Sequence, residues 1–144
     1  TLIIARTDAV AVEGFAAAQE RAEAFAQAGA DVIFIEAPQD AAQLRQVGKV
    51  LNGRLPLMAN MVEGGRTPVL PASELEAMGF SLVIFPGGIV RALARTAQDF
   101  YGTLAKDGTT ESFRPRMFDF EGINRLLGTA DILGRGKRYE GGER

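Results

Sequence analysis

Arg6, Glu36 and Asn60 are the side chains whose types and positions in this sequence suit chemistry. Each stands at or just past the end of a short apolar run. Residues 2–5 lead into Arg6-Thr7-Asp8, residues 32–35 into Glu36-Ala37-Pro38, residues 57–59 into Asn60 and the segment MVEGG, and residues 82–85 into Pro86-Gly87-Gly88. An arginine, a carboxylate and an amide at three successive strand ends would cradle a small molecule that bears carboxylates. Arg6 can grip one carboxylate with two parallel hydrogen bonds, and Asn60 can donate to a second. The same residues also fit a purely structural reading. Arg6 and Glu36 would then be an internal ion pair, Asp8 a turn residue, and Glu63 and Arg66 solvated charges of a Gly-rich loop that could otherwise flex as a lid. Gly87-Gly88 before a helix is an anion site or, more simply, a tight turn.

The 144 residues include no histidine and no cysteine. Disulfides, Cys/His zinc sites, a Ser-His-Asp triad and a cysteine nucleophile are therefore excluded for this chain by itself. Acid–base work falls to carboxylates, lysine or tyrosine. An apolar content of 47% with 24% charged residues is that of a globular chain long enough for one real core. The net charge of -2 and a pI near 5.2 give no basic footprint for nucleic acid. No apolar stretch approaches the ~18 residues needed to cross a membrane, and no charged-then-apolar leader precedes the first strand. No membrane partner and a cytoplasmic location are the default expectations. The opening TLIIARTDA, already strand-like and without an initiator Met, makes Thr1 an expected cut point.

The elements that must position these residues follow a repeated rhythm. The apolar runs begin 25 to 30 residues apart, the size of a βα unit. Phe15, Ala18, Ala22, Phe25 and Ala26 mark the inner face of a first helix that should stop at Gly29. Asp40 is placed to cap a second helix carrying Ala41, Leu44, Val47, Val50 and Leu51 at helical spacing. Ser73 with Glu76 reads as a capping box for a short third helix. A fourth, from about residue 89 to 105, carries Val90, Leu93, Ala94, Ala97, Tyr101 and Leu104 on one face and should end at Gly108. AGADVIFIEA and MGFSLVIFPG align Gly29 with Gly79 and Glu36 with Pro86, the echo expected of repeated units. Strands apolar almost throughout fit a parallel sheet covered by helices. Four such units make half of a (β/α)8 barrel or a small doubly wound sheet. After Thr109 the pattern changes to an irregular stretch, TTESFRPRM, followed by short helices around Phe118, Ile123, Leu126, Leu127 and Ile132.

Taken together and in order, IIARTDA, GADVIFIEAP, LMANMVEGGRTP and LVIFPGGIVRA resemble the isocitrate lyase/phosphoenolpyruvate mutase superfamily. The likeness is greatest to its smaller members of the methylisocitrate lyase and 2,3-dimethylmalate lyase type. It extends to the tail MFDFEGINRLLGTADILGRGKRYE, so it covers nearly the whole chain. The resemblance implies an α/β fold that is the C-terminal half of a (β/α)8 TIM barrel, strands five to eight, over residues 1–107. Residues 108–144 would be a C-terminal helical extension packing on a neighbouring subunit of a homo-oligomer. Carried over by position, Arg6 contacts the substrate carboxylate and stabilises the enolate, Glu36 lies near the metal and the substrate hydroxyl, and Asn60 holds the departing dicarboxylate.

The implied activity is a Mg²⁺-dependent carbon–carbon lyase cleaving a 2-hydroxy di- or tricarboxylate by a retro-aldol type reaction. Phosphonate-forming members tend to carry histidine where Glu36 stands, so the carboxylate looks like the lyase branch. An oxaloacetate-type decarboxylase or a phosphonate-forming mutase is the alternative within the superfamily, and a non-catalytic half-barrel assembly module the alternative outside it. The superfamily's metal-binding aspartates and its cysteine-bearing loop belong to earlier strands. The resemblance therefore implies a partner in the N-terminal half of the barrel, no metal ligands in this chain, and no turnover by this chain alone.

Overall fold

The computed structural model describes residues 1–51 and 53–140. Contacts divide the chain into two compact units, Thr1–Arg91 and Ala92–Arg144. The first is a parallel four-stranded sheet with its strands in chain order: β1 (Ile4–Thr7), β2 (Val32–Ile35), β3 (Leu57–Asn60) and β4 (Leu82–Ile84). Helices α1 (Ala9–Val12) and α2 (Phe15–Gln27) link β1 to β2, α3 (Ala41–Leu51) links β2 to β3, and α4 (Ala72–Ala77) links β3 to β4. The strand order never reverses, so there is no switch point of the kind that defines a doubly wound sheet.

Register sorts the strand residues onto two faces. Ala5 pairs with Ile33, Thr7 with Ile35, Ile33 with Leu57, and Ala59 with Val83. These point toward the helices, where Ile33, Ile35, Leu57 and Ala59 join Ala18 and Ala22 of α2, Leu44, Val47 and Leu51 of α3, and Leu75 of α4 in one core. The opposite face carries Ile4, Arg6, Phe34, Met58 and Leu82, with Ile4 48% and Leu82 41% exposed. Among the described residues β1 and β4 are unpaired edges. Such edges present unpaired backbone groups to solvent.

Helix ends follow the sequence closely in two places. At Gly29 and Gly79, with φ of +94° and +99°, the next amide reaches back to the last turn. Ala30 N donates to Phe25 O at 3.1 Å and Phe80 N to Leu75 O at 3.0 Å, while Gly29 N and Gly79 N donate to Ala26 O and Glu76 O. This is the Schellman arrangement twice over, and it delivers the chain into β2 and β4 in the same way. Asp40 caps α3 as expected, its Oδ1 accepting from Gln43 N at 2.8 Å.

Three expectations are corrected. The first strand lies two residues further on than the run at 2–5, because Ile3 O accepts from both Asp31 N and Val32 N and the ladder then continues through the polar Arg6 and Thr7. Ser73 is no cap: α4 begins at Ala72, and the carbonyl of Pro71 takes the amides of Glu74 and Leu75. The stretch read as irregular holds a 3-10 helix, Glu111–Arg116.

The long helix α5 (Gly88–Asp107) stops at Gly108 (φ +65°) and has no buried residue. Beyond it, Phe113 stacks edge-on against Phe100, and Arg116 lies over the Phe113 ring while pairing with Asp99. Helix α6 (Phe120–Leu127) is capped by the Asp119 carboxylate on Gly122 N and ends at the left-handed Gly128, and α7 (Thr129–Glu140) follows. No helix among the described residues is long and apolar enough to cross a membrane.

One surface pair yields a pH prediction. Arg54 clamps Glu23 of α2 through two bonds of 2.5 and 2.8 Å. The hydrogen bonds from Arg54, then from Gln27, pull the Glu23 carboxyl down to about 2. A depressed carboxylate stabilises the fold above its unfolded value of about 4.5, and that contribution fades as pH falls towards 2. Arg54→Ala should therefore lower the denaturation midpoint at neutral pH and flatten its acid dependence between those limits. Urea titrations at a series of pH values check this; parallel curves for the two proteins would refute it.

Candidate active site

Arg6, Glu36 and Asn60 come together on the open face at the C-terminal ends of their strands. Glu36 extends the alternation of β2 by one residue, and its amide donates to Thr7 O at 2.9 Å, so the strand pairing carries the carboxylate past the last formal strand residue. Ala37 then adopts φ +58°, a left-handed conformation that costs a non-glycine residue about 1 kcal/mol, and turns the chain away. The Glu36 side chain is 22% exposed, and its Oε2 lies 3.5 Å from Arg6 Nη2. Asn60 Nδ2 faces both Glu36 oxygens at 3.4 and 3.3 Å, while its Oδ1 is buried with no hydrogen-bond partner among the described residues. The amide thus meets a carboxylate, as its residue type suggested, but one that belongs to the protein.

The residue that sequence reasoning undervalued is Asp8. It lies two positions after Arg6 and holds the guanidinium through two bonds, from Nε to Oδ2 at 2.9 Å and from Nη2 to Oδ1 at 2.8 Å. Phe34 supplies the face, with the Arg6 Cζ 4.9 Å from the ring centre. The hydrogen bond that Arg6 donates to Asp8 raises the Arg6 pKa, and the same bond holds the Asp8 carboxyl below its usual value. The i, i+2 spacing of Arg and Asp at a strand end was the available signal.

The Gly-rich loop and PGG resolve into one local arrangement. Glu63 forms an ion pair with Arg91 at 3.8 Å, and its carbonyl accepts from the same guanidinium. A Cβ on Gly88 would lie 2.7 Å from Glu63 Oε1, so the anion beside the start of α5 is the chain's own. The loop is anchored further back by Met61, fully buried, whose sulfur accepts from Leu70 N. A groove of about 640 Å³ between α3 and α4, lined by Arg45, Lys49 and Glu74, lies on the helix side of the sheet and not at the strand ends.

The family model described as phosphoenolpyruvate phosphomutase matches residues 1–104. The chain belongs to the isocitrate lyase/phosphoenolpyruvate mutase superfamily. Within that superfamily it is 38% identical over 131 residues to the 2,3-dimethylmalate lyase of Eubacterium barkeri, an alignment covering 91% of this chain and 45% of the relative. It is 44% identical over 108 residues to the 2-methylisocitrate lyase of Bacillus subtilis, covering 75% of this chain and 35% of that one. The solved structure of oxaloacetate acetylhydrolase in complex with the product oxalate matches with a TM-score of 0.85 at 26% identity, over 97% of this chain and 47% of that chain. The chain thus spans less than half the length of these superfamily members, and its parallel α/β architecture is theirs over that span.

The donor set tests whether Mg²⁺ fits these residues. The ion takes six oxygens in near-octahedral geometry, usually with one or two carboxylates. Here Glu36 is flanked by the Arg6 cation and the Asn60 amide, Asp8 is committed to Arg6, and no group of three or more acidic side chains converges among the described residues. These strand ends do not fit a Mg²⁺ site by themselves.

Proposed function

We propose that this chain supplies strands five to eight and the C-terminal extension of a cytoplasmic, homo-oligomeric (β/α)8-barrel lyase, with residues 1–107 in the barrel and 108–144 beyond it. Its reaction would cleave a 2-hydroxy di- or tricarboxylate such as a methylisocitrate into a 2-oxo acid and a second carboxylate. The observation that carries this reading is the convergence of Arg6, Glu36 and Asn60, from three successive strands, within hydrogen-bonding or ion-pairing reach on one open face. The names of the superfamily relatives support it.

The chemistry follows from the residue types. Glu36 accepts the proton of the substrate hydroxyl; the oxygen's electron pair becomes the new carbonyl as the neighbouring C–C bond breaks. The released pair lands on a carbon next to a carboxylate and spreads into an enolate, which must then take up a proton. Arg6, already oriented, places its charge where negative charge grows, the arrangement that lowers such barriers most. Asn60 turns its amide toward the carboxylate of the departing fragment. A metal that supplies further charge stabilisation would be held by residues outside this chain.

The test is a panel of 2-methylisocitrate, 2,3-dimethylmalate and oxaloacetate given to the assembled enzyme that carries this chain, with products followed by NMR. Pyruvate from either 2-hydroxy acid is the expected result, and inertness to all three would overturn the reading. Turnover of oxaloacetate alone would favour the second reading, action on 2-oxo acids, which the structural match to oxaloacetate acetylhydrolase supports. The 144-residue chain by itself should show no turnover, since it lacks four strands of the proposed barrel.

A further inference from the structure

Asp8 stands at the N-cap position of α1 yet makes no side-chain cap bond. The residue type best suited to that task leaves it to Thr7, whose Oγ1 accepts from Ala9 N at 3.2 Å. A turn aspartate would satisfy local backbone amides. Asp8 instead spends both oxygens on the Nε–Nη2 edge of Arg6.

That choice decides what Arg6 can do. Its side chain is 48% exposed, on a face with Glu36 Oε2 only 3.5 Å from Nη2. Without Asp8 the cation would tighten onto Glu36; with Asp8 Oδ1 on the same Nη2 at 2.8 Å, Arg6 and Glu36 remain an ion pair at 3.5 Å with no hydrogen bond between them among the described residues. Asp8 takes one edge and Phe34 one face, and among the described residues no hydrogen bond runs from Nη1. Two N–H groups of the guanidinium are left to meet an incoming carboxylate end-on. The upward displacement of Arg6 and the downward one of Asp8 agree with a pair that stays ionised.

We infer that Asp8 is the positioning residue of Arg6: it holds the Nε–Nη2 edge of the guanidinium, so that the Nη1 end is left for a substrate carboxylate and Arg6 does not tighten onto Glu36. The inference rests on the proposed role of Arg6 in binding the substrate carboxylate. It differs from a structural role in predicting that the worth of Asp8 depends on Arg6 being an arginine, because only a guanidinium offers the paired Nε–Nη2 edge.

A double-mutant cycle in the assembled enzyme tests this. Asp8→Asn should lower kcat/KM roughly 10–100-fold, the range for residues that orient a group touching the substrate. In an Arg6→Lys background the same change should cost less than about 2-fold, since a lysine has no edge to orient. Equal costs in both backgrounds would overturn the inference while leaving the proposed function standing. An Arg6→Lys enzyme as active as the parent would remove the functional reading of Arg6 and the inference with it. Should Asp8→Asn fail to fold, the unmodified protein still decides. The Nε–H proton of Arg6, followed in ¹⁵N-edited spectra, should exchange with solvent more slowly at neutral pH than that of free arginine, because it is held by the Asp8 carboxylate. Exchange as fast as that of free arginine at neutral pH would overturn the inference.

Discussion

Gly48→Ala is expected to destabilise the sheet unit by about 3 kcal/mol, the upper part of the range for overpacking a core. Gly48 is buried on α3, and a Cβ there would overlap the carbonyl oxygen of Met78, with the Met78 carbonyl carbon at 2.8 Å. The obstacle is backbone, so no side chain can swing aside. The residue it would displace is the C-cap of α4, immediately before the Schellman turn at Gly79 that leads the chain into β4. In an exposed helix the same substitution would gain roughly 1 kcal/mol from helix propensity. Gly102 of α5 has nothing within 4 Å of an added Cβ and supplies that comparison. Thermal denaturation should show Gly48→Ala losing about 10 °C and Gly102→Ala unchanged or slightly raised. A Gly48→Ala protein as stable as its parent would mean that α3 and α4 do not approach as described.

The same helix contact shows where sequence reading stops. Apolar runs and their spacing placed β2 outright and β3 and β4 to within a residue, because a strand buried on its helix side by Ile33, Ile35, Leu57 and Ala59 must be apolar there. The glycine echo of Gly29 and Gly79 was legible for a physical reason as well, since only the left-handed C′ position asks for that residue. Propensity failed where a backbone partner decided. The ladder with β2 pulled Arg6 and Thr7 into β1, and the carbonyl of Pro71 displaced Ser73 as the start of α4. Gly48 carried no signal, because a glycine within a helical pattern does not say what it lies against. For the site, the three residue types and their strand-end positions were visible. That Asp8 would choose Arg6 over its own backbone was not, because both choices are open to an aspartate two residues after an arginine.

The unclosed face gives those strand-end residues their meaning. Nothing about a four-stranded sheet's own stability asks for Arg6, Glu36 and Asn60 at the edge of an apolar surface that includes Ile4 and Leu82. Desolvating such groups costs free energy unless each is paired, and Asn60 Oδ1 is not. The proposed function gives these polar groups, and the one acceptor among them without a partner in the described residues, a role in meeting the carboxylates of a substrate.

That argument makes the largest expected effect a functional one. Glu36→Gln in the assembled enzyme should reduce kcat about 10²–10³-fold, within the range that a positioned general base contributes. The substitution keeps the shape and the contact with Asn60 but removes the base that would take the hydroxyl proton. Arg6→Ala should cost at least as much by another route. It deletes the cation facing the enolate and leaves Asp8 and Glu36 side by side, so the cluster passes from one net negative charge to two and repels an anionic substrate. The two variants should therefore separate kinetically, Glu36→Gln acting mainly on kcat and Arg6→Ala on both kcat and KM. Rising ionic strength should ease the KM defect of Arg6→Ala, because screening weakens repulsion at an exposed site, and leave the Glu36→Gln defect alone. If both variants retained parental kinetics in an active enzyme, the cluster would be an ion-pair network of the fold and the chemistry would have to lie on other strands.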